Sequence, residues 1–259
     1  MKIAILTLFP DVVTTYLETS IMKRAADARN VVFEVIDYRD FATDVHKSVD
    51  DRPFGGGAGM VMTAPIVDKA LRSVRQKTSH VIMTSAKGKP YIQNDALRLR
   101  DKQDLIILCG HYEGFDARIE NWCDELISVG DFVVTGGELP ALSIVDSIVR
   151  LLPGVLQKAD AIENETFFIV AIDELLPLVG QSRDLALLKK QGKTHVRLVE
   201  YPHYTRPQTY NGASVPPILI SGNHQEIQQW KLTKAFEETI RCRPDLLKIG
   251  YNTDDEGLD

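Results

Sequence analysis

The first 150 residues alternate short apolar runs with longer amphipathic stretches. The apolar runs, rich in β-branched residues, cover residues 2–9, 31–38, 80–86, 104–110 and 132–136. Such runs are typical of strands buried on both faces of a sheet. The amphipathic stretches, which predict helices, cover residues 11–29, 64–76 and 93–102. The alternation predicts an α/β fold, with a mostly parallel sheet and helices on both of its faces.

The second half of the chain is predicted to be more helical. A helix is expected from Glu138 to about Leu152, with Pro140 in its first turn and Pro153 after its end. Residues 155 to about 200 predict a short helical hairpin inserted in a linker. Ser221 or Asn223 is expected to cap a helix that runs to about residue 240. The predicted domains are therefore 1–158, a linker with an insertion at 159–198, and 199–259.

The composition favours a globular protein without a membrane span or a disulfide framework. The chain has 259 residues, 44% of them hydrophobic and 25% charged, which is typical of a globular protein. It contains no apolar run of 18 residues, so no membrane span is expected. Its three cysteines form no C-x-x-C pair, which indicates reduced thiols in a cytoplasmic protein. The formal net charge of -6 argues against nucleic-acid binding, but a local basic patch remains compatible with it.

Three glycine-bearing segments are the candidate ligand-binding loops of the first domain. They are DDRPFGGGAGM at 50–60, CGHYEGFDARI at 109–119 and GDFVVTGGELP at 130–140. In parallel sheets, ligands bind at the carboxyl ends of strands, where loops of this kind converge. No segment ends in Gly-Lys-Ser/Thr, which excludes a nucleoside triphosphate loop. A pocket of bare main chain suits an adenine ring and a methionine-like chain better. Plain turns remain the alternative, with His111 a turn or surface residue.

The segment YPHYTRP at 201–207 places aromatic residues beside Arg206. Aromatic rings that stack on bases, next to a cation for phosphate, are typical of RNA contacts. A packed proline-rich loop is an equal alternative. Lys231, Lys234, Arg241 and Arg243 add a modestly basic helical region farther along the chain.

Taken in order, these motifs resemble one family. Seven segments of this chain are similar to segments of the bacterial tRNA (guanine-N1)-methyltransferases that modify guanine 37 beside the anticodon. They are DDRPFGGGAGM, CGHYEGFDARI, SVGDFVVTGGELPAL, RLLPGVL, EYPHYTRP, VPPILISGNH and CRPDLL. The match covers residues 1 to about 158 and 199 to about 248. The resemblance implies a SPOUT-type α/β domain with a deep trefoil knot, a small helical C-terminal domain that helps hold tRNA, and a homodimer whose active sites use both subunits.

The resemblance also assigns a cofactor site. S-adenosylmethionine would be held in a bent shape by the knot loops, with Phe132 standing where the family often has tyrosine. The residues implied are Ser85, Gly110, Glu113, Gly114, Phe132, Val133, Val134, Gly136, Gly137 and Pro140. A magnesium requirement is implied as well, with Glu113 helping to place the ion, but the sequence shows no cage of oxygen ligands.

The implied catalytic residues are Arg150 and Glu165. Arg150 matches the essential arginine of the family. Glu165 aligns with a catalytic aspartate, so this chain departs from the family by one methylene. Asp160 and Asp173 are rivals if the alignment slips.

The resemblance further implies contacts with tRNA. Asp50 and Arg52 would read the target base and its 5′ neighbour, while Tyr201, His203, Arg206, Asn223 and His224 would contact the anticodon stem-loop. Two other functions stay open at this point. One is a SPOUT methyltransferase that acts on another RNA position, and the other is a homologue that binds tRNA or cofactor without turnover.

Overall fold

The chain folds into two compact units, Met1–Gln157 and Lys158–Asp259. The computed structural model describes residues 1–156 and 165–252. Within those residues, no helix is both long and apolar enough to cross a membrane.

A five-stranded parallel sheet forms the centre of the first unit. Its strand order is β2-β1-β6-β5-β7, and each neighbouring pair runs parallel. A two-stranded antiparallel hairpin, β3 and β4, stands apart from it. The strands are β1 Lys2–Thr7, β2 Val32–Asp37, β3 Asp50–Asp51, β4 Val61–Met62, β5 His80–Pro90, β6 Asp104–Leu108 and β7 Glu125–Ser128. The helices are α1 Pro10–Leu17, α2 Ser20–Asp27, α3 Ala64–Val74, α4 Gln93–Arg100 and α5 Glu138–Val149.

The central strands are apolar because both faces of the sheet are covered. All five side chains of β6 are buried, and β1 is buried from Ile3 to Thr7. Ala4 and Leu6 share one core cluster with Ile106, Leu108 and the apolar stripe of α3. The predicted α/β class and parallel sheet are confirmed, as is the buried first strand.

The predicted strand at residues 132–136 is wrong. The edge strand is β7, and residues 132–136 form a loop between β7 and α5. Phe132 and Val133 are 58% and 87% exposed, so this apolar run does not bury its side chains in the sheet. The helix predicted over 11–29 is also divided, because the chain turns between Leu17 and Ser20, where Ser20 has a φ of 50°.

The described part of the second unit, residues 165–252, combines a small sheet with three α-helices. Its sheet is antiparallel with the order β12-β9-β8, and a separate hairpin joins β10 to β11. The strands are β8 Phe168–Ala171, β9 His195–Leu198, β10 Thr209–Tyr210, β11 Ala213–Ser214 and β12 Gly250–Tyr251. The helices are α6 Ile172–Val179, α7 Arg183–Lys190 and α8 His224–Cys242.

One apolar core unites this second unit. Leu175 of α6, Leu185 of α7, Val196 of β9 and Phe236 of α8 belong to a single buried cluster. The predicted helical hairpin within 155–200 is confirmed as α6 and α7. The small helical C-terminal domain implied by the resemblance is not confirmed, because residues 168–198 supply two strands that share a core with α8. Asn223 caps α8, as one of the two predicted caps.

Gly88 lies where β5 meets β7 for the second time. β5 pairs with β7 at Ile82–Thr84, leaves the ladder, and pairs again at Lys89–Pro90. A Cβ atom on Gly88 would lie 2.6 Å from the main-chain nitrogen of Ile127. The three nearest atoms all belong to the main chain of Leu126 and Ile127, which leaves no side chain that could move aside, so only glycine fits this crossing.

We expect Gly88→Ala to lower the free energy of unfolding of the first unit by about 3 kcal/mol, because the added methyl group must force two main chains apart. Gly56→Ala is the control: that site has a φ of 78° and open space, so it carries a backbone strain of about 1 kcal/mol. Chemical denaturation of the full chain measures both. Equal losses would show that close packing at Gly88 is not the cause.

Candidate functional site

Three loops converge at the carboxyl end of the parallel sheet. Residues 84–87 lie within β5, around the point where it leaves its pairing with β7, residues 109–115 follow β6, and residues 129–137 follow β7. They enclose an open cavity of about 440 Å³, a volume ordinary for a small-molecule site. Hydrogen bonds join the loops: the Gly137 N–H donates to the Gly110 carbonyl at 2.7 Å, and the Thr84 hydroxyl donates to the Leu108 carbonyl at 3.1 Å.

The cavity brings together every residue that the sequence resemblance assigns to the cofactor. Ser85 comes from β5, Gly110, Glu113 and Gly114 come from the loop after β6, and the exposed Phe132, Val133 and Val134 form part of the wall after β7. The full set is Ser85, Gly110, Glu113, Gly114, Phe132, Val133, Val134, Gly136, Gly137 and Pro140. Lys87 and Glu120 also line the cavity, and the Lys87 ammonium donates to the Glu120 carboxylate.

Close main-chain packing explains the Gly-Gly pair at the start of α5. A Cβ atom on Gly137 would lie 2.8 Å from the Cα atom of Cys109 and 2.2 Å from the Thr84 hydroxyl oxygen. The φ of Gly137 is -80°, which any residue adopts, so space and not backbone conformation requires glycine here. The third loop can therefore cross the ends of β5 and β6 only with bare main chain.

The glycine-dense connection between β3 and β4 is hydrogen-bonded to the loop at 109–115, which follows β6. The Met62 N–H donates to the Gly114 carbonyl, and the Glu113 N–H donates to the Met60 carbonyl. A Cβ atom on Gly59 would lie 2.4 Å from a carboxylate oxygen of Glu113. Asp50 and Arg52 belong to this hairpin, half-buried and exposed respectively, and they lie outside the cavity lining.

A buried polar cluster behind the cavity escaped the sequence analysis. Glu138 is 6% exposed, and it accepts a hydrogen bond of 2.7 Å from the Thr7 hydroxyl. His111 Nδ1 lies 3.9 Å from the second carboxylate oxygen. His111 lines the cavity and packs against the Phe9 ring, so it is more than the turn residue considered from the sequence. Thr7 and Glu138 are 131 positions apart, and no sequence signal links them.

The two residues assigned to catalysis belong to different units. Arg150 follows the last turn of α5 and is half-buried. Glu165 is half-buried at the start of the described part of the second unit, where its carbonyl accepts from the Phe168 N–H. Of the rivals, Asp173 forms an ion pair with Lys189 and its side chain is 76% exposed, while Asp160 lies outside the described residues.

The residues assigned to tRNA in the second unit fall into two groups. The Tyr201 and His203 rings pack against each other at a tilt of 44° with centroids 4.6 Å apart, and the Lys231 ammonium lies 4.9 Å from the centroid of the Tyr201 ring. Arg206 is exposed in the following loop. Asn223 accepts from the Glu226 N–H as the cap of α8, and the exposed His224 begins that helix.

Metal ligands are not clustered in the described part of the chain. Across residues 1–156 and 165–252, no three His, Cys, Asp or Glu side chains are grouped so that they could hold an ion. Glu113 therefore stands at the cavity without companions of that kind.

Comparison with known proteins gives one consistent family. The family model described as tRNA (guanine-1)-methyltransferase TrmD matches residues 1–249. A relative named tRNA (guanine-N(1)-)-methyltransferase from Clostridioides difficile (strain 630) is 43% identical over 257 residues, which cover 96% of this chain and 98% of the relative. Relatives of the same name from Alkaliphilus metalliredigens (strain QYMF) and Shouchella clausii (strain KSM-K16) are 43% identical over 257 residues and 41% over 254 residues.

The alignment with the Alkaliphilus relative covers 96% of this chain and 92% of the relative, and the alignment with the Shouchella relative covers 97% and 93%. The similarity therefore includes both units, and the family predicted from the ordered motifs is confirmed. The chain belongs to the tRNA (guanine-1)-methyltransferase family, a family of enzymes that transfer methyl groups to tRNA.

Proposed function

We propose that this protein methylates N1 of guanine 37 in tRNA, next to the anticodon, with S-adenosylmethionine as the methyl donor. The observation that supports this most strongly is the glycine-lined cavity at the carboxyl end of the sheet. Family membership supports the enzyme class and the guanine N1 position. The choice of guanine 37 comes from the resemblance of the whole ordered set of motifs to that family.

The cavity fits the proposed donor by its chemistry. Main-chain N–H and C=O groups of the three loops can bond to an adenine ring, and exposed apolar side chains such as Val134 can pack against its faces. The Lys87 ammonium is already paired with Glu120, so it is not placed to neutralise a triphosphate. When bound, the donor supplies an electrophilic methyl group on a sulfonium.

The residues proposed for chemistry act on the guanine. N1 of guanine carries a proton at neutral pH, and the Glu165 carboxylate takes it as attack begins. Negative charge then develops toward O6, where the Arg150 guanidinium stabilises it. Orientation of the base against the methyl group supplies much of the remaining rate. We also propose a magnesium requirement for activity, in which Glu113 would help to place the ion.

Recognition of tRNA is proposed to use both units. Asp50 and Arg52 read the target base and its neighbour from the hairpin that is tied to Glu113. The adjacent rings of Tyr201 and His203, with Lys231 over the Tyr201 ring, offer a base-stacking and phosphate-binding surface. Arg206, Asn223 and His224 complete the proposed contacts. A local surface of this kind lets a chain of net charge -6 bind RNA.

We also propose that the enzyme is a cytoplasmic homodimer with a deep trefoil knot in its first unit. An apolar stripe of α1 and α5 supports a second copy as partner: Phe9, Val12 and Tyr16 are 41%, 48% and 39% exposed, and Leu139 is 63% exposed. The return of the chain from edge strand β7 to the ends of β5 and β6 supports the knot. A dimer would let one subunit supply Arg150 and its partner supply Glu165.

Methylation of tRNA transcripts in vitro, followed by nucleoside mass spectrometry, tests the proposed position. We expect 1-methylguanosine from a transcript with guanines at 36 and 37, and its loss when guanine 37 is replaced by adenine. Product that survives this replacement would favour a SPOUT enzyme for another position. Donor binding without any product, with and without magnesium, would favour a non-catalytic homologue.

The base assignment is tested by Glu165→Gln. We expect the single-turnover rate to fall at least about 100-fold, because general base catalysis is lost while the side-chain shape is kept. Asp173→Asn is the matched control and should keep the rate, since that carboxylate is exposed and paired with Lys189. Full activity of the Glu165 variant would contradict the assignment and direct the test to Asp160 and Asp173.

A further inference from the structure

Glu138 is a buried carboxylate to which the proposed reaction gives no role. It is the first residue of α5 and is 6% exposed. One oxygen accepts from the Thr7 hydroxyl at 2.7 Å, and the other lies 3.9 Å from His111 Nδ1. Acidic side chains are rarely this buried without a full set of partners, because loss of hydration is costly. The one hydrogen bond from the neutral Thr7 hydroxyl does not by itself explain why a carboxylate is buried at position 138.

The carboxylate lies directly behind the cavity wall. A Cβ atom on Gly136 would lie 2.3 Å from a carboxylate oxygen of Glu138 and 2.4 Å from His111 Nδ1. Gly136, Gly137 and His111 all line the cavity. The negative charge is therefore separated from the cavity by one layer of main chain, and the burial of this layer limits screening by solvent.

The Glu138 carboxylate lies at the N-terminus of α5, where its negative charge opposes the partial positive charge of the helix. The helix begins at the cavity with Gly137 as its cap, and no side chain caps its free N–H groups. A helix N-terminus carries a partial positive charge that attracts anions and repels cations. A carboxylate in the first turn offsets that charge. The influence of Glu138 reaches its neighbours, since burial and then its negative charge raise the pKa of the Cys109 thiol well above the usual value.

We propose that Glu138 determines the charge specificity of the cavity: its carboxylate favours the cationic methyl donor over the neutral product, which differs from it by the methyl group and the charge on sulfur. This inference rests on the proposed function. In the reaction, the bond between sulfur and methyl breaks and its electron pair stays on sulfur, while the methyl group bonds to N1 and the N1 proton passes to the general base. Sulfur thus changes from a charge of +1 to neutral, and the attraction to Glu138 ends with the reaction.

The ratio of two dissociation constants tests the proposal. Isothermal titration of the full chain at pH 8, where an ordinary imidazole is neutral, compares S-adenosylmethionine with S-adenosylhomocysteine. We expect Glu138→Gln to weaken binding of the methionine compound about tenfold and to change binding of the homocysteine compound less than about twofold. The glutamine keeps an acceptor for the Thr7 hydroxyl, so the shape of the site is retained.

Two further variants separate charge from shape. Thr7→Val removes the hydrogen bond and keeps the charge, so the ratio should stay within about twofold of the unmodified chain even if both affinities fall. Glu138→Asp keeps the charge on a shorter side chain and should retain a ratio closer to the unmodified chain than Glu138→Gln. These variants decide the question if the glutamine variant does not fold.

The contrary outcomes are distinct. Equal weakening of both compounds by Glu138→Gln, or an altered ratio in Thr7→Val, would show a purely structural role for Glu138 and overturn the inference. Unchanged affinity for both compounds in Glu138→Gln would overturn it as well, while leaving the proposed function intact. If the unmodified chain bound neither compound, the proposed donor would fail together with the inference.

Discussion

The contact between the main chains of Gly110 and Gly137 is the constraint on which the site depends. The N–H of Gly137 donates to the Gly110 carbonyl at 2.7 Å, and a Cβ atom on Gly137 would lie 2.8 Å from the nitrogen of Gly110. This approach lets the chain return from edge strand β7 and lie across the ends of β5 and β6. Without it, the loop at 129–137 would not face the loop at 109–115, and the cavity would lose one wall.

Electrostatics explain why this helix start serves a ligand other than phosphate. The glycine turn that opens α5 resembles an anion site in its geometry. Its first side chain is nevertheless a buried carboxylate, and the lysine that lines the cavity is paired with Glu120. A cavity with this charge balance suits a ligand with a positive centre. The same balance fits an acidic protein whose proposed RNA contacts are confined to a local surface around Tyr201 and Lys231.

The pattern of apolar and polar residues along the chain predicted those elements whose burial follows from their own sequence. Strands β1, β2, β5 and β6 follow continuous apolar runs, and β1 and β6 are buried because both faces of the sheet are covered there. The ordered glycine motifs contain nine of the ten residues assigned to the donor, and all ten line the cavity. Strand β7 was missed because it is only four residues long, with Glu125 half-buried, while the more apolar run at 132–134 is exposed. Apolar character there indicates a cavity wall and not a strand.

Contacts between distant residues could not be predicted in this way. The bond between Thr7 and Glu138 joins residues 131 positions apart, and the close approach at Gly88 depends on the path of β7. Strands β8 and β9 were assigned to a linker because each has four residues and pairs across two intervening helices. In each case the deciding information is the tertiary path, which periodicity and motif spacing do not contain.

Calorimetric titration of a Gly137→Ala variant with S-adenosylmethionine tests the central claim most directly, because the added methyl group would collide with the Thr84 hydroxyl and with main chain at Cys109 and Gly110. The account predicts that affinity for the donor falls at least about 100-fold, while thermal unfolding stays cooperative. A variant that binds the donor as tightly as the unmodified chain would contradict the claim that bare main chain at this crossing forms the site.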